Sequence, residues 1–277
     1  MKRRLIQLCA ALLYNLNLKG FAEASIYKGK SKGLCVPGLN CYSCPGAVGS
    51  CPLGTLQNAL SAMDRKLPFY ILGVLLLFGV TMGRTICGFL CPFGLVQELL
   101  YRIPVPKIKK NRVTQELSKV KYVILAVFVI ILPVVFKAAS GLPVPAFCKY
   151  ICPAGTLEGG IPLVLLDDSL SGLAGALFHW KVLVLAVILV SACFLYRSFC
   201  RILCPLGAIY SLFAPVALLG VRIDRDTCVD CGRCVRTCKM DVRQVGDREC
   251  IQCGECMKEC NVDAIYWKKP WDVKSKR

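Results

Sequence analysis

Hydrophobic positions along the chain gather into three uncharged runs, each closed at both ends by Lys or Arg. They cover residues 67–83 between Lys66 and Arg84, 122–136 between Lys121 and Lys137, and 182–196 between Lys181 and Arg197. Each is near the lower limit of the roughly 17–25 residues that a helix needs to cross a bilayer, and a terminal Lys or Arg can snorkel its charge outwards. Residues 5–18 form a weaker fourth run. The opening "MKRRLIQLCAALLYNLNL" has the outline of a signal peptide. No small-residue cleavage site follows it, and Asn15 and Asn17 interrupt its end, so it reads as a retained anchor. The expected architecture is mainly α: a four-span helical membrane domain over residues 1–221, followed by a charged segment, 222–268, and a basic tail, 269–277.

The runs alternate with a short repeat. Cys-Pro-x-Gly occurs four times, as "CPLGTLQ" (51–57), "CPFGLVQ" (91–97), "CPAGTLE" (152–158) and "CPLGAIY" (204–210). Proline suits the first turn of a helix and glycine lets the backbone approach a bulky group. Each copy therefore presents a cysteine at a helix N-terminus, where the dipole and free N–H groups favour a thiolate. Gln57, Glu98 and Glu158 make three of the following helices poor spans, so these read as short helices at the interface or folded back into the protein. Residues 205–221 are apolar enough to span, but their place in the repeat argues that they do not.

Three copies carry a second cysteine, giving Cys87-x3-Cys91, Cys148-x3-Cys152 and Cys200-x3-Cys204; the first offers Cys35, Cys41, Cys44 and Cys51. With four spans, successive copies alternate sides, and two pairs of thiolates on one side make one four-cysteine site. Cys87, Cys91, Cys200 and Cys204 are expected to form one. Cys44, Cys51, Cys148 and Cys152 are expected to form the other, leaving Cys35 and Cys41 as a disulfide or redox-active pair. Lys2, Arg3, Arg4 and the loop with Lys107, Lys109, Lys110, Arg112, Lys119 and Lys121 read as cytoplasmic, which puts both termini inside.

The strongest pattern lies in the C-terminal segment. Cys228-x2-Cys231-x2-Cys234-x3-Cys238 is followed by Cys250-x2-Cys253-x2-Cys256-x3-Cys260. This is the run of a two-cluster bacterial ferredoxin, in which each fourth cysteine serves the other cluster. The expected sets are Cys228, Cys231, Cys234 and Cys260, and Cys250, Cys253, Cys256 and Cys238, in an α+β dicluster domain. Lys239 and Asn261 replace the usual proline after each fourth cysteine. Zinc is the plainer use of four cysteines, but the doubled order favours iron.

Composition agrees. The 277 residues are 56% hydrophobic with a mean hydropathy of +0.57, against roughly 45–50% for soluble domains. Twenty cysteines in short regular spacings point to cluster ligation. The formal charge of +18 falls to about +10 once four clusters at about −2 each are counted. Much of the rest flanks apolar runs, so nucleic acid is not an expected partner. Cys9 and Cys193 lie in apolar stretches and behave as small hydrophobes. His179, the only histidine, sits beside Trp180 at a span entrance; without Cys-x-x-Cys-His, haem is not expected. Glu98 and Glu158 are candidate proton carriers for a quinone, although such groups more often face water.

The strings "RTICGFLCPFG" and "RSFCRILCPLG", with the dicluster run behind them, resemble the NapH/MauN ferredoxin-type membrane proteins and the membrane half of NosR-type regulators. The resemblance runs from "RRLIQL" to Ile265. It implies an inner-membrane, multi-pass iron–sulfur protein with its ferredoxin domain in the cytoplasm. Four [4Fe–4S] clusters are expected, two in that domain and one at each membrane face. Electrons would pass between a quinone pool or cytoplasmic donor and a partner redox protein. The chain departs from the pattern in Cys148/Cys152 and in its cysteine-rich 35–51 loop, and it lacks the Ser/Thr-Gly-Ala-Thr signature of covalently bound flavin. Rival expectations are a transmembrane reductase acting through Cys35/Cys41 and a cofactor-maturation or redox-sensing protein.

Overall fold

The computed structural model of the chain describes residues 2–61, 68–108, 110–167, 172 and 174–268. Lys66 and Leu67 at the start of one expected span, Lys109, and the basic tail 269–277 lie outside these residues.

Among the described residues, two helices are long and apolar enough to cross a membrane by length and composition, Arg112–Ser140 and Ala176–Phe194. They contain the runs 122–136 and most of 182–196. The other two expected spans are shorter. Lys2–Tyr14 and Phe69–Thr81 have 13 residues each, about 20 Å at 1.5 Å per residue, against a bilayer core of about 30 Å. Local chemistry ends them early. Asn15 turns its amide back to the Ala11 carbonyl and across to Asn40. Phe69–Thr81 is confined between Pro68 and Gly83, whose φ of +49° no helix continues.

Two helices contain π-helical stretches, Leu125–Ile131 and Gly155–Gly160. Both stop just short of a proline, Pro133 and Pro162. A proline has no N–H for the carbonyl four residues back and its ring crowds that carbonyl. Widening the preceding turns to the π spacing relieves the conflict without breaking the helix.

The helices after the Cys-Pro elements are short and form the interior: Pro52–Ser61, Pro92–Leu100, Gly155–Leu166 and Pro205–Phe213. The last ends well before Val221, and the chain leaves it for a strand. Leu53, Phe93, Phe147, Phe199, Leu206 and Tyr210 pack together around the motif cysteines. The longer helices surround them with apolar faces turned outwards, as at Leu183, Val187 and Val190.

The C-terminal half is bracketed by an antiparallel ribbon that pairs Gly220–Ile223 with Ile265–Lys268. Its two cysteine runs repeat one backbone pattern. Asp230 and Gln252 take positive φ before the second cysteine of each run, and Gly232 and Gly254 take positive φ after it. Such turns aim successive N–H groups at one point, a concavity suited to an anion.

This half is docked tightly on the helical half. Glu249 pairs with buried Arg84 at 3.1 Å and with Lys121. Arg201 pairs with Asp241, and Phe89 meets Trp267 edge to face. Gly88 lies so close to Ile251 that a Cβ there would stand 2.3 Å from its carbonyl oxygen. Gly88→Ala is therefore expected to separate the halves at a cost of about 1–3 kcal/mol. A lower thermal midpoint and faster proteolysis between the halves, each measured against wild type, check this.

Candidate functional site

Two of the Cys-Pro elements cap their own helices through the cysteine sulfur. Cys204 accepts from the Gly207 amide at 3.3 Å, and Cys152 from the Gly155 amide at 3.4 Å. Proline at the next position fixes the turn that places these sulfurs.

Copies two and four converge. Burial pushes the thiol of Cys91 up to about 12, and the neighbouring thiols of Cys200 and Cys87 add to the effect. Burial also raises Cys204 well above its ordinary value, again with Cys200, Cys87 and Cys91 contributing. Two further side chains tie the copies together. Gln97, the seventh residue of copy two, donates to the Cys200 sulfur at 3.0 Å and accepts from the Phe199 amide at 3.0 Å. Arg197 reaches the other way, to the Cys87 carbonyl and to Glu98.

Copies one and three converge in the same manner. Gln57 donates to the Cys148 sulfur at 3.2 Å and accepts from the Phe147 amide at 2.9 Å. Burial raises Cys148 to about 12, and Cys51 and Cys41 add to it. The fourth sulfur here is that of Cys41. Built onto Gly155, a Cβ would lie 3.8 Å from both the Cys41 and Cys152 sulfurs. Cys44, expected in this place, instead faces Asn15, its sulfur 3.4 Å from Oδ1. A contact distant in sequence accompanies this: Glu158 accepts from the Cys41 amide at 2.7 Å. Cys35 lies against Thr55 at 3.6 Å. Cys35 and Cys41 are both free thiols, and Cys41 is turned into the quartet and away from the expected redox pair.

The two quartets are neighbours and do not occupy remote faces. The segment 37–41 runs between them. The Leu39 amide is directed at the Cys91 sulfur and the Asn40 amide at the Cys51 sulfur. Tyr210, fully buried, donates to the Pro37 carbonyl at 2.8 Å.

In the C-terminal half, one cavity of about 500 Å³ is lined by Cys228, Cys231, Cys234 and Cys260. A second is lined by Cys238, Cys250, Cys253 and Cys256. Each therefore takes three cysteines from one run and the last from the other, as in the expected sets.

These surroundings fit iron–sulfur clusters. The donors are thiols that burial keeps protonated unless a cation displaces the proton. Amides point at the sulfurs, Gly155 leaves the space a side chain would fill, and the Nδ2 of buried Asn40 has no hydrogen-bond partner among the described residues. Charge fits as well. Glu98 is shared by Arg3 and Arg197, and Glu249 by Arg84 and Lys121. Each network carries one cation in excess beside the Cys87/Cys91/Cys200/Cys204 quartet, which suits a cluster of charge about −2.

Several of these residues were legible but unread. Arg84 and Arg197 each stand three residues before the first cysteine, in "RTIC" and "RSFC", and the motif's seventh position is Gln, Gln, Glu, Tyr. Glu98 does not face water: it is a buried ion-pair partner, hydrogen-bonded also by Tyr196.

Comparison with known proteins gives the same picture. A family profile described as a 4Fe-4S binding domain matches residues 50–70, 67–111, 122–161 and 176–223, more than half of the chain and one match for each Cys-Pro copy. The methylamine utilization ferredoxin-type protein MauN of Paracoccus denitrificans is 26% identical over 70% of this chain and 62% of its own length. The putative electron transport protein YccM of Escherichia coli is 23% identical over 70% of this chain and 54% of its own. An uncharacterised Methanocaldococcus jannaschii protein is 29% identical over 61% of this chain and 64% of its own. The chain thus spans roughly half to two-thirds of the length of the curated relatives it matches. No solved structure matches it significantly.

Burial opposes ionisation of Glu98, but Arg197 and Arg3 outweigh it and hold its carboxyl below the ordinary range. The stability it contributes is thus present above the unfolded-state value and is lost as pH falls through the lower folded-state value. Glu98→Gln is expected to remove that acid transition and to destabilise the protein by about 3–5 kcal/mol, by stranding buried Arg197. Thermal unfolding in detergent across a pH series checks both.

Proposed function

The chain belongs to the 4Fe-4S binding domain family and is a ferredoxin-type iron–sulfur electron transport protein of the NapH/MauN kind, and on that premise we propose that it is a membrane-bound conduit. Electrons pass between its ferredoxin half and the two cysteine quartets of its helical half. The observation that carries this reading is the contact of Gly88, next to Cys87, with Ile251, next to Cys250. It puts the ferredoxin half against the Cys87/Cys91/Cys200/Cys204 quartet, and the second quartet lies just beyond.

A [4Fe–4S] cluster in each set of four cysteines supplies one-electron chemistry. The protein's part is to hold the thiolates, exclude water and neutralise charge. Arg84 and Arg197 do the last from behind the opposite copy, where Gly207 and Gly94 leave them room. The proposed ligands are Cys228, Cys231, Cys234 and Cys260; Cys250, Cys253, Cys256 and Cys238; Cys87, Cys91, Cys200 and Cys204; and Cys41, Cys51, Cys148 and Cys152.

Charge supports the orientation. Lys110 donates to the Val235 carbonyl and Lys121 pairs with Glu249, so the Lys-rich loop lies on the ferredoxin side. Arg3 reaches Glu255, which brings the N-terminus to that side too. By the positive-inside rule this side is cytoplasmic, and exposed Cys231 offers a cytoplasmic donor or acceptor its closest approach. The opposite end faces a quinone or a partner redox protein.

Iron and acid-labile sulfide in anaerobically purified protein are expected to match four cubane clusters; iron for only two would overturn the reading. Cys41→Ser is expected to lower iron by about one cluster, four atoms, whereas Cys44→Ser leaves it unchanged.

A further inference from the structure

We infer that the segment 37–41 is an electronic bridge between the two cysteine quartets, so that an electron crosses from one to the other in a single step inside the protein, with no mobile carrier between them. This rests on the function proposed above, because it takes each quartet to hold a cluster.

The segment touches both sites along its backbone. A Cβ on Gly38 would stand 3.0 Å from the Leu90 carbonyl oxygen and 3.2 Å from the Cys91 Cα. A glycine here lets the chain lie close to a ligand's own backbone, where any side chain would be crowded. Next, the Leu39 amide is directed at the Cys91 sulfur. The Asn40 amide is directed at the Cys51 sulfur in the other quartet. Then comes Cys41, whose sulfur stands with Cys51, Cys148 and Cys152. Covalent connection from the amide at Cys91 to the sulfur of Cys41 is three residues, at most roughly 10 Å of chain. A bilayer core is about 30 Å thick, so electrons relayed through it from face to face would need an intermediate carrier. Here none is required.

The bridge is sealed and braced. Leu39 is 2% and Asn40 0% exposed. Tyr210 fixes the start of the segment through its bond to Pro37, and its hydroxyl lies within electrostatic reach of Cys87, Cys51 and Cys91, that is, of both quartets. It occupies the motif position from which Gln57 and Gln97 reach their partner copies. In copy four this position serves the junction. Tyr210 is a positioning residue.

With clusters bound, Cys87, Cys91, Cys200 and Cys204 would hold the electron donor and Cys41, Cys51, Cys148 and Cys152 the acceptor. One electron would move, with no bond formed or broken and no proton transferred; the ferredoxin half would be the reductant, and the outer partner would remove the electron.

Electron paramagnetic resonance of the full-length protein during a reductive titration tests this. In the wild type, the signal of the second quartet is expected to broaden and relax faster when the first is reduced. In Cys91→Ala it stays narrow, with iron lower by one cluster. Superimposable line shapes in the two proteins, at that lower iron content, would overturn the bridge while leaving the four-cluster reading intact. Unchanged iron in Cys91→Ala would count against the four-cluster reading instead. Tyr210→Phe covers the case in which Cys91→Ala does not assemble. With iron content kept, oxidation of the reduced protein in proteoliposomes by ferricyanide at the outer face is expected to be measurably slower than in the wild type, because the segment is no longer held by the Tyr210 bond to Pro37. A wild-type rate in that variant would overturn the bridge.

Discussion

An ionised sulfur cannot stand alone in an apolar interior; it must be met by positive charge and by hydrogen-bond donors within a few ångströms. Much of this molecule follows from that requirement. Four turns present buried sulfurs to backbone amides, and Arg84, Arg197 and Lys121 are buried as deeply as any aliphatic residue. A buried guanidinium is costly in its turn, so Glu98 and Glu249 accompany the cations. Glu249 comes from the ferredoxin half. The same charge balance that suits a cluster in the helical half therefore also fastens the two halves together.

The repeat solves this problem twice, with different parts. In copies two and four, arginines fill the space behind each motif glycine. In copies one and three, the corresponding glycines, Gly54 and Gly155, have sulfurs as their nearest neighbours. The first arrangement surrounds a quartet with net positive charge, and the second has a carboxyl beside Cys41, that of Glu158, which burial pushes up to about 7. Two sites with the same four donors thus sit in different electrostatic surroundings, a few residues of chain apart.

Local pattern made much of this readable. The ferredoxin sets are expected from the match of the doubled run to the two-cluster pattern, in which each fourth cysteine serves the other cluster. Copies two and four do come together, but not for the reason the crossings suggest: two of the expected spans are 13-residue helices, and the pairing rests on Gln97 and Arg197 reaching across from one copy to the other. The places where reading from sequence fell short are those governed by contacts distant along the chain. Cys41 and Cys44 are equally good on spacing, and only the bond from the Cys41 amide to Glu158, 117 residues away, separates them. Glu98 and Gln57 look like polar residues of poor spans until the buried arginine and the thiol that they serve are known. Helix lengths were overestimated at residues 67–83 and 5–18, because hydropathy counts apolar residues and does not register that Gly83 and Asn15 turn the backbone.

Copies one and three close one quartet and copies two and four the other, so the two closures overlap along the chain. During synthesis, the quartet of Cys41 to Cys152 is complete before Cys200 has been made. That of Cys87 to Cys204 is completed afterwards, around a chain already folded back on itself. Glu249, which balances Arg84 and Lys121, arrives last of all. No cut between copies yields two self-sufficient pieces. The protein is built as an interlocked pair of loops in which early and late segments must wait for each other.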